Sequence, residues 1–266
     1  MSGIEVLPVE GLPEFVSGMP VGAEIAARTE LRDGDVVVIS QKIVSKAEGR
    51  VRELAEVEPG AEARRLAAEL GKEPELVELI LGESRAVLRA ERGVLIVETH
   101  HGFVCANAGI DTSNLPDANT VALLPEDPDA SARRIRAEIR QAIAGRPDPT
   151  GEDRRQAPDS AGIAPAVIVA DSFGRAWRLG QTEAAIGCAG LTPLDDWRGQ
   201  ADTAGRKLEA TTIAIADQVA AAADLVRDKT SQTPAAIARG LDRHVTQEDG
   251  PGARSIRRPR AEDLFR

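Results

Sequence analysis

Tyrosine is missing from this sequence, and four phenylalanines and two tryptophans make up the rest of its aromatic content. With so few rings, any core must be packed from Ala, Val, Leu and Ile. Only two cysteines occur, Cys105 and Cys188. That is too few for a secreted disulfide scaffold, so the expected setting is a reducing cytoplasm with two buried thiols. The three histidines, His100, His101 and His244, do not stand at zinc-site spacing with the cysteines, and the adjacent pair reads as support for a turn. No apolar run approaches the roughly 20 residues needed to span a bilayer. The first five residues lack the basic region and apolar stretch of a signal peptide. Basic surplus is also lacking: the formal net charge is -10, which argues against a general nucleic-acid binder. The Gly-x-x-x-x-Gly-Lys-Ser/Thr phosphate loop is absent, and there is no internal repeat. The expectation is a soluble cytoplasmic protein with no membrane or nucleic-acid partner.

What is present suffices for one large domain or two packed lobes: 266 residues, 42% of them hydrophobic. Residues 4–7 read as a first strand. Residues 22–32 look helical and end at the turn Asp33-Gly34-Asp35. The β-branched run 36–40 reads as a strand covered on both faces. Residues 41–46 then connect to the turn Glu48-Gly49-Arg50. Helical spacing recurs over 61–70 and 73–81, broken at Gly71. Residues 94–97 and 104–108 read as neighbouring strands, the second delivering Asp111. Residues 121–124 are short and apolar, and 131–144 form an arginine-rich amphipathic helix. Residues 145–162 read as an exposed loop. The strand 166–170 ends at Asp171. Residues 211–216 read as a strand, after which Asp217 is expected to cap a helix over 218–225. Residues 234–238 form a last apolar run. From Glu248 onward the chain is polar and basic, and residues 246–266 are expected to be a flexible tail.

Two segments carry the chemistry. Gly109-Ile110-Asp111-Thr112-Ser113-Asn114 and Asp171-Ser172-Phe173-Gly174-Arg175-Ala176-Trp177-Arg178 each place an aspartate after an apolar run, beside hydroxyl residues and glycine. Two such aspartates brought together make an oxygen-rich cradle for Mg²⁺ or Mn²⁺, and strand ends are firm platforms for it. Taken singly, each aspartate has an ordinary role as a cap or turn former. Lys42 and Lys46 follow a buried strand, where an ammonium offsets charge on a phosphoryl group, or is simply solvated. Arg175 and Arg178 flank Trp177, and their guanidinium forks suit phosphate or carboxylate.

The ordered blocks 11–15, 40–50, 108–114 and 171–182, with 222–226 and 234–240, resemble the coenzyme F420-0:L-glutamate ligase family, also called F420:γ-glutamyl ligases. The resemblance runs from Ile4 to about Leu241. It implies a mixed α/β fold in which residues 1–245 form a two-lobed domain, paired into an intertwined homodimer. It also implies a GTP-dependent ligase that joins L-glutamate to the terminal carboxylate of F420-0 and then extends a γ-linked tail. Carried over block by block, Leu12, Pro13, Glu14 and Phe15 would line the nucleotide site, and Gln41, Lys42, Lys46 and Asn114 would contact GTP. Asp111 and Asp171 would bind one divalent ion and Ser172 a second, with Mg²⁺ or Mn²⁺ as the metal and K⁺ as a helper. Lys46, Asp111 and Asp171 would carry the catalysis. Gln41 stands where relatives often have serine or threonine. Asp228 is the candidate replacement for an acidic ligand of the archaeal relatives. The reductase-like second domain of the mycobacterial version is missing, so no flavin is implied. Other readings of the acidic cradle are an acyl-phosphate ligase for a different acid, a metal-dependent phosphohydrolase, and a non-catalytic nucleotide-binding subunit.

Overall fold

The computed structural model describes residues 3–113, 117, 119–144, 164–227 and 232–264. In chain order the elements are β1 (Glu5–Pro8), α1 (Val21–Arg28), β2 (Val36–Ser40), α2 (Gln41–Ala47), β3 (Val51–Glu53), α3 (Ala61–Leu70), α4 (Pro74–Gly82), β4 (Ser84–Glu91), β5 (Val94–Thr99) and β6 (Val104–Ala106). There follow β7 (Thr120–Ala122), α5 (Pro128–Ala144), β8 (Ala166–Arg175), β9 (Arg178–Ala189), β10 (Asp195–Asp196), β11 (Thr212–Ile213), α6 (Ile215–Asp224) and β12 (Ala235–Arg239). The fold is mixed α/β.

A five-stranded sheet in the order β1-β12-β2-β8-β9 organises the larger lobe. All its pairings are antiparallel except that of β2 with β8, which is parallel. The period-two rule explains why β2 and β8 are apolar throughout. Val37, Ile39, Val167 and Val169 face α1 and α5, while Val36, Val38, Ala166, Ile168 and Ala170 face α6. On that second face, Ala216, Ala220 and Ala223 of α6 lie against Ala236 and Ala238. Small residues on both sides bring helix and sheet close, so this core is filled without rings.

The smaller lobe packs α3 and α4 on the sheet β4-β5-β6, with Leu66, Val77, Ile80, Leu95 and Val97 at its centre. Gly71 adopts φ 65° and ends α3, and Pro74 starts α4. The break expected at Gly71 is present. The ribbon β3-β7 carries its own small cluster of Leu54, Val121 and Leu123.

Some local expectations shift. Residues 41–47 are a helix, supported by the bond from Ser45 Oγ to Gln41 Oε1 at 2.8 Å. Ile43, Val44 and Ala47 have helical spacing, but over too short a span to stand out from a connector. The first helix ends at Arg28 rather than Arg32. The strand expected over 211–216 shrinks to Thr212–Ile213, and α6 begins at Ile215. Asp217 therefore lies inside α6, where its carboxylate accepts the Ala185 N–H at 2.9 Å instead of capping the helix. Both cysteines are buried and free, as expected. No helix among the described residues is long and apolar enough to cross a membrane. The loop 145–162 lies outside the described residues.

The basic C-terminal segment, expected as a flexible tail, makes defined contacts up to Arg260. Buried Asp129 accepts from the N–H groups of Cys188 (2.9 Å) and Ala253 (2.7 Å) and pairs with Arg254 at 2.8 Å. Buried Arg136 donates to the Pro165 carbonyl at 3.0 Å and pairs with Asp249 at 2.8 Å. Arg257 lies over the Phe103 ring at 5.7 Å, and Arg260 reaches Glu98 at 3.5 Å.

The close fit of α5 on β9 can be tested at Gly187. A Cβ there would meet the Pro128 carbonyl oxygen at 2.2 Å. Backbone cannot turn aside as a side-chain tip can, so Gly187→Ala should lower unfolding free energy by about 3 kcal/mol. Urea denaturation measures this, and a loss within experimental error would show that α5 does not sit as closely as described.

Candidate functional site

The site forms where the parallel pairing of β2 with β8 stops. Ser40, last in β2, pairs with Ala170 of β8; Gln41 then turns into α2, whereas β8, expected to end at Asp171, runs on to Arg175 because β9 continues to pair with it, Asp171 opposite Ala184. Chain segments beyond the carboxyl ends of parallel strands are natural ligand platforms. Along β8, Val169 and Phe173 belong to the face packed by α2 and α5, whereas Ala170 belongs to the α6 face. Strand alternation therefore turns Asp171 and Ser172 to opposite sides.

Asp111 arrives from the other lobe on a tightly wound turn. Asn107, Ala108 and Gly109 have φ of 52°, 56° and 70° in succession. For Asn107 and Ala108 this left-handed geometry costs roughly 1–2 kcal/mol each. Gly109 is required twice over, because a Cβ there would also meet Leu124 Cδ1 at 2.9 Å. Beyond the turn, Asp111 exchanges backbone hydrogen bonds with Ala122 at 3.0 and 2.9 Å, which clamps its position. Its Oδ1 accepts from the Ser113 N–H and hydroxyl, both at 2.7 Å. Its Oδ2 pairs with Lys42 Nζ at 2.8 Å, and Lys42 also donates to Ser113 Oγ at 3.0 Å. Burial opposes ionisation of Asp111, but the bonds from Lys42 and Ser113 outweigh it and hold the carboxyl below its usual range.

Asp171 behaves in the opposite way. Burial first, then the charges of Glu183 and Asp111, push its carboxyl up to about 7, against the Ser172 N–H and Lys42. Asp171 thus lies within electrostatic reach of Asp111 and Lys42, as the pairing of Ser40 with Ala170 leads one to expect. Beside them, Phe173 meets Phe103 edge-on at 6.0 Å. Cys105 is pushed up to about 12 by burial and then by Asp171, so it is no nucleophile at neutral pH.

Ser172 donates its hydroxyl proton to Glu183 Oε1 at 2.5 Å, across the β8–β9 pairing. Glu183 Oε2 lies 2.9 Å from Arg227 Nη2, and both side chains are buried. Lys46 is buried too and pairs with Glu14, whose carboxylate is largely exposed in the loop 11–15. Phe15 from the same loop sits in the core, where Leu12 packs partly against it, and Pro13 is half-buried. Gln41 is buried with its oxygen on Ser45. Arg175 and Arg178 pair at the exposed tip of the β8–β9 hairpin, with Trp177 between them. Asn114 and Asp228 lie outside the described residues.

The structure thus pairs Lys42 with Asp111 and sets Asp171 one residue past the Ser40–Ala170 pairing, with Ser172 next in β8 and Lys46 further along α2. Sequence reasoning gave no role of their own to Ser113, Glu183 and Arg227. Glu183 was findable only from the hairpin register, and Ala176-Trp177 is not a recognisable two-residue turn. Among the described residues no three carboxylate, imidazole or thiol groups stand close enough to cage an ion unaided.

Comparison with known proteins adds to this geometry. The sequence model of a family described as F420-0:Gamma-glutamyl ligase matches residues 11–148 and 154–240. The Coenzyme F420:L-glutamate ligase of Methanothermobacter thermautotrophicus is 41% identical over 265 residues, covering 99% of this chain and 97% of the relative. Proteins of the same name from Methanopyrus kandleri and Haloarcula marismortui are 38% and 42% identical. These cover 100% and 90% of this chain, and 100% and 88% of the relatives.

A pH dependence follows from the raised Asp171. Between about pH 4 and pH 7 the folded, metal-free chain keeps a proton that the unfolded chain has released, so stability falls as pH rises, by at most ~1.4 kcal/mol per pH unit. Asp171→Asn removes this slope. Urea denaturation in chelator should show the variant gaining on the parent from mildly acidic to neutral pH. A difference that does not change with pH would mean that Asp171 is ionised throughout.

Proposed function

The chain is a ligase belonging to the F420-0:gamma-glutamyl ligase family, and from that premise we propose that it joins the amine of L-glutamate to the terminal carboxylate of coenzyme F420-0 and then extends a γ-linked glutamate tail. GTP supplies the driving force through an acyl phosphate. A carboxylate resists amine attack because oxide is a poor leaving group. In the first step the bond between the β and γ phosphates of GTP breaks, the γ-phosphoryl group passes to the carboxylate oxygen, and GDP departs. In the second step the glutamate amine attacks the acyl carbon, inorganic phosphate leaves, and the amine sheds a proton. No covalent enzyme intermediate is needed, because positioning alone contributes much of the rate.

The observation that carries this reading is the bond of Lys42, just past β2, to Asp111 of the other lobe, beside the register that sets Ser40 against Ala170, the residue before Asp171. The donor set is all hard oxygen, which suits Mg²⁺ or Mn²⁺, and two carboxylates completed by substrate phosphates are a common magnesium arrangement. Asp111 and Asp171 would hold one ion and Ser172 a second. A divalent ion held there would supply positive charge that disperses the charge of the transferring group. Lys42 neutralises Asp111 in the free chain. The Lys42 ammonium, and that of Lys46 held by Glu14, would supply positive charge for the phosphate oxygens of the nucleotide. Arg175 lies four residues beyond Asp171, roughly 13 Å along the strand. At that reach the tip arginines suit a distant anionic group of the acceptor rather than the reacting phosphoryl. The exposed Trp177 and Leu179 on the same tip suit a homodimer partner. K⁺ is expected to assist.

Purified protein with F420-0, GTP, L-glutamate and Mn²⁺ should yield glutamylated F420 and GDP by mass spectrometry. Asp171→Asn should lower turnover by ~100-fold or more with its thermal melt retained. Unaltered F420-0 in the presence of folded enzyme refutes the substrate assignment. GDP release without acid or amine would favour a phosphohydrolase.

A further inference from the structure

We propose that Glu183, held in place by Arg227, is the positioning residue that makes the Ser172 hydroxyl a ligand for a divalent cation. The inference rests on the metal-assisted reading above and extends it to two residues not yet given a role. A serine hydroxyl has one proton and two lone pairs, and its rotation is normally free. Here the proton is committed to Glu183 Oε1 at 2.5 Å, so both lone pairs of Ser172 Oγ face away from Glu183. Donating to an anion also makes the oxygen a better base, as partners of metal ligands do elsewhere.

The placement follows from the sheet. Ser172 and Glu183 are direct partners in the β8–β9 register, so both side chains stand on the α6 face. Arg227 lies just past the end of α6, with Nη2 at 2.9 Å from Glu183 Oε2 and 3.7 Å from Asp224 Oδ1. Glu183 is 7% exposed and Arg227 8%. The pair is poorly served for a purely structural link: among the described residues, Glu183 Oε2 and Arg227 Nε and Nη1 are buried without a hydrogen bond of good geometry. Buried ion pairs seldom stabilise a fold more than apolar residues would. Incomplete bonding weakens that role further, and a function in the site accounts for the arrangement.

Mn²⁺ is the probe, with free ion counted by electron paramagnetic resonance in titrations of the full chain. Glu183→Ala and Ser172→Ala should each weaken Mn²⁺ binding roughly 10–100-fold. The double variant should bind no more weakly than Ser172→Ala alone, because Glu183 acts through that hydroxyl. Glu183→Gln keeps the size and one acceptor oxygen, so it should lose less affinity than the alanine variant. It also keeps the test open should Glu183→Ala fail to fold. Affinity unchanged in folded Glu183→Ala or lost equally in Glu183→Gln, or effects of positions 172 and 183 that add, would overturn the proposal. F420-0 turnover is a separate readout, so losing the substrate assignment would leave the Mn²⁺ result to stand by itself.

Discussion

The parallel pairing of β2 with β8 is the constraint on which the site depends. It is the one parallel pair in the five-stranded sheet, and it makes both strands run the same way, β2 stopping at Ser40 while β8 continues against β9. Because Ser40 and Ala170 are in register, the start of α2, with Lys42, and Asp171 follow the same pairing, though distant in sequence. An antiparallel pairing would have sent them to opposite ends of the sheet. The pairing is secured by burial on both faces, and small residues let α6 press against one of them. The same packing that stabilises the lobe therefore positions the chemistry.

Charge is distributed unevenly around those strand ends. Asp111 has Lys42, and Glu183 has Arg227. Asp171 has no ion pair among the described residues and carries the raised carboxyl. Burial comes first among the causes, and the charges of Glu183 and Asp111 add to it. Backbone strain is concentrated in the same place, in the left-handed turn that delivers Asp111. The hydrogen bonds of Asp111 to Ala122 and the burial of Ala108 hold that turn. The lobes thus meet with one contributing a fixed, well-solvated-by-donors carboxylate and the other a frustrated one.

Legibility followed the range of the forces involved. Continuous apolar strands such as 36–40 and 166–170, and the helices 61–70 and 131–144, declare themselves through periodicity, which is a local property. Asp111 and Asp171 stood out because hydroxyls and glycine surround them in the sequence, and Lys42 because it follows a buried strand. The helix 41–47 was hidden by its length, since two turns give the pattern little room. Asp217 was misread because its partner, the Ala185 N–H, comes from β9 and not from its own helix. The contacts of the basic C-terminal segment depend on Asp129 and Arg136 of α5, more than a hundred residues earlier, so nothing local announces them.

The sequence by itself determined which segments would be buried, which residue types would carry the chemistry, and, through ordered blocks of matching residues, the family. These are properties of short windows, where side-chain size, polarity and spacing act directly. Only the tertiary structure decided that Lys42 bonds Asp111, that burial and the charges of Glu183 and Asp111 oppose ionisation of Asp171, and that Ser172 gives its proton to Glu183. Each of those facts depends on strand register or on the meeting of two lobes, and register is set by the packing of the whole sheet rather than by any residue within it.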